Sequence, residues 1–180
     1  MNDTRSLAYQ VVPGHVTDAA PAARELREGA ERGFGAVMMS ERLNVKHSAV
    51  LGGYAAALAG DMEVVTALTF PHTRHPMDLA AYGATLAQLA GGGFTLGIGR
   101  GPDHQWDAWG MPRPSMAMLE DAAGVLRTLW SGVTVADHDG SLGRLPGRLS
   151  LGVELAGRLD WPWGRSDRGR SKWPAEPSTT

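Results

Sequence analysis

Between residues 7 and 132 a short β-prone run gives way four times to a longer segment whose apolar residues recur every three or four positions and which stops at glycine. That alternation constrains the chain more than any other feature. A strand, a helix and a further strand in succession imply right-handed crossovers and parallel pairing. The expected class is α/β, a parallel sheet covered by helices.

Residues 7–12 form the first short strand, ending at Pro13-Gly14. Asp18 is the expected N-cap of a helix with Leu26 and Ala30 on one face and Gly33 as its left-handed C-cap residue. Residues 36–40 (AVMMS) are the second strand, residues 41–46 a polar loop, and residues 48–59 an Ala-rich helix closed by Gly60. Residues 62–70 (MEVVTALTF) give the clearest strand, because Val64, Val65, Thr66 and Thr69 are β-branched and Pro71 bars continuation. Pro76 opens the third helix, whose Leu79, Tyr82, Leu86 and Leu89 share a face before Gly91-Gly92-Gly93. Residues 94–98 are the fourth strand, a Gly-rich aromatic loop runs to Pro114, and Met116, Leu119, Ala123, Leu126 and Trp130 mark a fourth helix ending near Gly132. Beyond Gly140 the pattern fails. Leu149 and Leu151 suit one more short strand, and residues 158–180, polar, Pro-containing and aperiodic, are expected to be disordered.

The 180 residues suffice for one modest domain. Lys and Arg total 17 against 19 Asp and Glu, and the net charge of -2 gives no electrostatic reason to bind nucleic acid or anionic lipid. The absence of cysteine excludes disulfides and thiolate metal sites. Residues 1–8 (MNDTRSLA) lack the apolar core of a signal peptide, and no apolar stretch approaches the ~18 residues of a membrane span, so a cytoplasmic protein is expected. Pro71 and Pro76 prevent one continuous helix from presenting His72 and His75 to a metal, and no metal site is expected.

Three segments have residue types suited to chemistry. Gly97-Ile98-Gly99-Arg100-Gly101 follows an apolar strand. It reads either as an anion cradle, with open main-chain N–H groups and the forked donor of Arg100, or as a glycine-rich strand end with Arg100 in solvent. It is not the G-x-G-x-x-G dinucleotide fingerprint, because no helix follows directly. Ser40-Glu41-Arg42 ends the second strand, where Glu41 and Arg42 either project into a ligand crevice or form an ion-paired loop. Thr66-Ala67-Leu68-Thr69 leads to Thr73-Arg74-His75-Pro76. Its small and hydroxyl side chains leave room for a flat ring, and His75 serves as an acid or base or caps the next helix. Trp106, Trp109 and Gly110 shape a pocket wall or pack on the fourth helix.

Taken together, these segments resemble the luciferase-like monooxygenase superfamily, particularly its branch using the deazaflavin coenzyme F420, over about residues 5–145. The resemblance is carried by Glu31-Arg32-Gly33-Phe34 with Ser40-Glu41-Arg42, Val65-Thr66-Ala67-Leu68-Thr69 with Arg74-His75-Pro76, Phe94 with Leu96-Gly97-Ile98-Gly99-Arg100-Gly101, Trp106 and Gly110, and Leu126-Arg127 with Leu129-Trp130-Ser131-Gly132. It implies a TIM (β/α)8 barrel holding a flavin or deazaflavin at the carboxyl ends of its strands, with coenzyme F420 as cofactor or FMN as the alternative. It implies hydride transfer to, or monooxygenation of, a small organic substrate. It places a non-proline cis peptide at Ala67-Leu68, cofactor contacts at Ala67, Leu68, Thr69, Gly99, Arg100 and Gly101, and Glu41 and Arg42 beside ring and substrate as catalytic candidates. Several relatives have a catalytic His at the position of Arg42, and Arg is a poor general base.

A complete barrel has eight units and ~250 residues. Four units identify residues 5–145 as the front half of such a barrel, followed by an irregular tail over residues 146–180. The implied partners are a second copy or another chain that completes the core. A non-catalytic half barrel that self-associates or binds a partner is the alternative to an enzyme.

Overall fold

The computed structural model describes residues 4–15, 17–91, 93–153 and 155. Most of the expected tail, with Trp161, Trp163 and Trp173, lies outside the described residues. The elements run β1 (Ala8–Gln10), α1 (Ala22–Glu31), β2 (Ala36–Met39), α2 (Ser48–Leu58), β3 (Glu63–Thr69), α3 (Pro76–Leu89), β4 (Phe94–Ile98), α4 (Asp103–Ala108), α5 (Met116–Trp130), β5 (Val135–Gly140) and β6 (Gly143–Leu149).

The first four strands form one parallel sheet in the order β1-β2-β3-β4. Each connection steps to the next neighbour, so the order never reverses as it does at the switch point of a doubly wound sheet. Val37, Val64 and Phe94 lie abreast in the register and are buried with Met39 and Leu96 against Leu26, Leu51, Leu79, Leu86, Leu126 and Leu129 from the helices. Gln10, Met38, Val65 and Thr95 form the adjacent row and are only half-buried. The sheet therefore has one covered face and one open face.

Three expectations need correction. Asp18 does not cap α1. Its carboxylate accepts from Ala20 N at 2.9 Å, a turn two residues long, and Pro21, with φ -62°, occupies the cap position. The loop before Pro114 contains the short helix α4. Residues after Val133 form an antiparallel hairpin, β5 with β6, in place of an irregular run with one short strand. The hairpin is exposed along most of both strands, so its sequence carries no alternating signal. Asp121 of α5 anchors it, with Oδ2 accepting from Leu142 N at 2.8 Å and lying 3.1 Å from His138 Nε2.

Helices α3 and α5 meet at Trp130, whose Nε1 donates to Ala80 O at 3.0 Å. A Cβ added at Gly83 would lie 2.6 Å from Cζ2 of that buried ring. Gly83→Ala is accordingly expected to lower the unfolding free energy by about 1–3 kcal/mol through overpacking. Gly124→Ala, in α5 where a Cβ meets nothing within 4 Å, should raise it by about 0.5–1 kcal/mol through helix propensity. Urea denaturation of the two variants checks both signs.

Candidate functional site

Parallel pairing brings the carboxyl ends of all four strands to one rim. At the end of β3 the register with β4 slips: Thr66 pairs with Leu96, but Thr69 pairs with Ile98, so β3 carries one extra residue and bulges. The Ala67–Leu68 peptide within the bulge is cis, as the resemblance implied. Ala67 is left exposed and Leu68 half-buried. Gly97 in β4 and Gly99 just after it make this arrangement possible. A Cβ at Gly97 would lie 2.1 Å from Thr66 O, and one at Gly99 would lie 2.3 Å from Leu68 Cδ2.

The Gly99 N–H donates to Thr69 O at 3.0 Å, so it is already used between the strands. Gly101 has φ +67° and carries the chain into α4, whose Trp106 donates from Nε1 to Arg100 O at 2.6 Å. Arg100 is neither an open fork nor a solvent-only side chain. Its Nε donates to Pro114 O at 2.8 Å, its Nη2 lies 3.1 Å from Asp103 Oδ1, and the side chain is 41% exposed at the rim.

Beneath the bulge lies a buried polar cluster. Glu41 directly follows β2 and the loop residue Ser40, and its side chain is 0% exposed. Its Oε1 accepts from Ser48 N at 2.9 Å. Its Oε2 accepts from Ser48 Oγ at 2.8 Å, Thr69 Oγ1 at 2.6 Å and Arg74 Nη1 at 2.7 Å. The Glu41 N–H donates to Leu68 O at 2.9 Å, tying this cluster to the bulge itself. Burial pushes the carboxyl pKa up, but the hydrogen bonds from Arg74, Thr69 and Ser48 outweigh it and hold the pKa below its ordinary value.

This geometry sorts the sequence candidates. Glu41 does not project toward the rim; it is the ion-paired alternative, turned between the starts of α2 and α3. The Thr69 hydroxyl belongs to the same cluster and is not presented to the open side. Arg42 is half-buried, its backbone bridged to Lys46, with Nε buried and unpaired. His75 caps α3, accepting from Met77 N at 3.2 Å. Trp106 is fully buried and packs on Phe70 (4.8 Å between centroids) and His72 (4.4 Å).

Two residues had no assigned part. His72 has both ring nitrogens buried without a partner, and burial lowers its pKa. Lys46 is buried and donates from Nζ to Val12 O, while Glu25 Oε2 accepts from Val12 N at 2.8 Å, clamping a non-glycine residue at φ +39°. A polar loop of ordinary composition gives no sign of either role. A cavity of about 610 Å³ lies at the opposite end of the sheet, lined by Arg5, Phe34, Asp61 and Glu63 among others, away from these groups.

The profile of a family described as luciferase-like monooxygenase matches residues 4–152. No curated protein sequence matches the chain. Among solved structures, the coenzyme F420-dependent tetrahydromethanopterin reductase from Methanopyrus kandleri superposes with a TM-score of 0.67 at 20% identity, over 83% of this chain and 47% of its own. The monooxygenase RslO1 from Streptomyces bottropensis gives 0.65 at 20% identity, over 84% and 50%. The oxygenating constituent of 3,6-diketocamphane monooxygenase from Pseudomonas putida, solved in complex with FMN, gives 0.63 at 18% identity, over 76% and 43%. The chain thus spans about half the length of these structures and shares their α/β fold.

The cluster around Glu41 makes a testable demand. Because the folded carboxyl has a lowered pKa, its stabilisation is complete above the unfolded value of about 4.5 and is lost as the pH falls through the folded one. Glu41→Gln leaves Arg74 without its buried counter-charge, and a loss of about 3–5 kcal/mol is expected near neutral pH. Denaturant titrations across the acid range should show a stability slope below about pH 4.5 in the parent chain that is smaller in the variant.

Proposed function

Because the chain belongs to the luciferase-like monooxygenase family, whose profile covers residues 4–152, we propose that its rim holds the ring of a flavin-type cofactor and serves an oxidoreductase acting on a small organic substrate. Coenzyme F420 is the cofactor we assign, with FMN the alternative. Residues 5–145 are, in this reading, four of the eight units of a (β/α)8 barrel. The other four come from further polypeptide, a second copy or another chain.

The observation that carries the reading is the bulge after Thr66. It turns Ala67, the smallest chiral side chain, toward the open side, and Leu68 fills the space that Gly97 and Gly99 leave beneath it. A flat ring laid there would meet a methyl group in place of a larger side chain. When bound, a flavin or deazaflavin supplies hydride chemistry that no side chain can.

The chain's own residues orient the ring and its phosphate. Ala67 and Leu68 back the ring, while the main chain at Thr69, Gly99 and Gly101 bounds it. Arg100, already at the rim and half-exposed beside the half-exposed Asp103, would hold the phosphate by its guanidinium. Glu41 acts through the bulge and touches neither ring nor substrate. Arg42 keeps its charge at any working pH, so it stabilises an anion rather than moving a proton.

Fluorescence titration of the purified chain tests this. Saturable F420 binding is expected, weakened by about 1–3 kcal/mol in Arg100→Ala and abolished in Ala67→Phe, whose urea midpoint should match the parent's. FMN binding alone would move the assignment to the alternative cofactor. Binding of neither, or undiminished binding by Ala67→Phe, would overturn the reading in favour of a non-catalytic half barrel.

A further inference from the structure

The loop after β2 sets two cations side by side. Arg42 and Lys46 form an isolated antiparallel bridge, with Arg42 N donating to Lys46 O at 3.1 Å and Lys46 N to Arg42 O at 2.6 Å. Residues opposed in such a bridge carry their side chains on the same face, about 5 Å apart at Cβ, where like charges repel. Leu43, Asn44 and Val45 between them bring no acid. Glu41, the acid beside Arg42, is taken up by Arg74, Thr69 and Ser48.

Among the described residues neither cation has an ion-pair partner, whereas Arg74 pairs with Glu41 and Asp78, and Arg100 with Asp103. Lys46 is 7% exposed, and its Nζ donates to Val12 O alone. Burial, and then the Arg42 guanidinium, hold the Lys46 pKa below its ordinary value against the opposing pull of Glu25. Glu25 is itself used, accepting from Val12 N by Oε2. Arg42 Nε is buried without a partner, and no other N–H of that guanidinium meets an acceptor among the described residues. An enclosed donor and an unrelieved pair of like charges both cost free energy, and an anion between the two side chains answers both.

We propose that Arg42 and Lys46 form the subsite for a carboxylate on the organic substrate, a reading that rests on the flavin-type rim proposed above. The Glu41 N–H is bonded to Leu68 O, so Arg42 stands one residue from the strand that backs the ring, and Lys46 reaches the chain just after β1. Strand order puts this loop, after β2, and Arg100, after β4, on opposite sides of β3. A substrate anion here therefore does not compete with a cofactor phosphate at Arg100. The planar fork of Nε–H and a neighbouring Nη–H matches the two oxygens of a carboxylate, and the ammonium adds a second charge.

Benzoate is the probe. Calorimetric titration of the purified chain, at an ionic strength fixed with sodium chloride, should show saturable binding. Arg42→Gln should weaken it about tenfold or more, and Arg42→Lys, which keeps the charge without the fork, by less. In NMR spectra the Arg42 Nε–H signal should shift in step with benzoate occupancy. Because Arg42 has no partner in the free chain, the urea midpoint of Arg42→Gln should equal or exceed the parent's. Inorganic phosphate should displace benzoate only at the higher concentration of the two, and F420 should leave it bound. Absence of saturable binding, undiminished binding by Arg42→Gln, or a lower urea midpoint for that variant would each overturn the proposal. So would stronger binding of phosphate, or displacement by F420, which would give the pair to the cofactor. Benzoate binding by a chain that takes up neither F420 nor FMN would support the anion site and count against the flavin reading alone.

Discussion

A carboxylate with no exposed surface stays ionised only when donors surround it, and Glu41 meets that demand with four. They come from the first residue of α2 by its N–H and hydroxyl, from the last residue of β3, and from the arginine before α3. One anion therefore fixes how two consecutive units approach each other. Its backbone N–H extends the constraint to Leu68 O, so the bulge that turns Ala67 outward is held from below by the same residue. The three segments that supply these donors follow one another at the carboxyl ends of β2 and β3, and the carboxylate lies buried among them.

The glycine-rich run after β4 shows how one sequence pattern serves two physical demands. Gly97 and Gly99 are required by Thr66 O and the Leu68 side chain, and neither has the positive φ that an anion cradle requires. Gly101 alone among the three is in the left-handed region, where the chain turns toward Trp106. The motif is thus a packing device for the bulge first. Arg100, held by Pro114 O and Asp103, is the part of it that still faces outward.

Periodicity made the covered half of the molecule legible. Helices α2, α3 and α5 begin at Ser48, Pro76 and Met116 as expected, and the fourth strand spans Phe94–Ile98, because each buries a face in the core and so carries that face in its sequence. What buries no face was not legible: the hairpin rests on Asp121, a contact across 17 and 21 residues that no local pattern records. Glu41 failed for a related reason. A charge after a strand is ordinarily solvated, and its partner Arg74 is 33 residues away. Ser48, at the buried start of an otherwise apolar helix, was the available sign that something polar had to be met there.

The open face of the sheet carries its own polar pairing. A row of Gln10, Met38, Val65 and Thr95 mixes polar and apolar groups, which on a solvated surface would need no internal pairing. Yet Gln10 Nε2 donates to Ser40 Oγ at 2.9 Å, and Thr95 Oγ1 donates to Glu63 Oε1 at 2.5 Å. Polar groups that find partners within their own sheet can be enclosed at small cost, whereas unpaired ones cannot. Sequential strand order points the same way, because a sheet that never reverses direction curls toward closure. Both features make this a face that can be enclosed at little cost in unpaired polar groups.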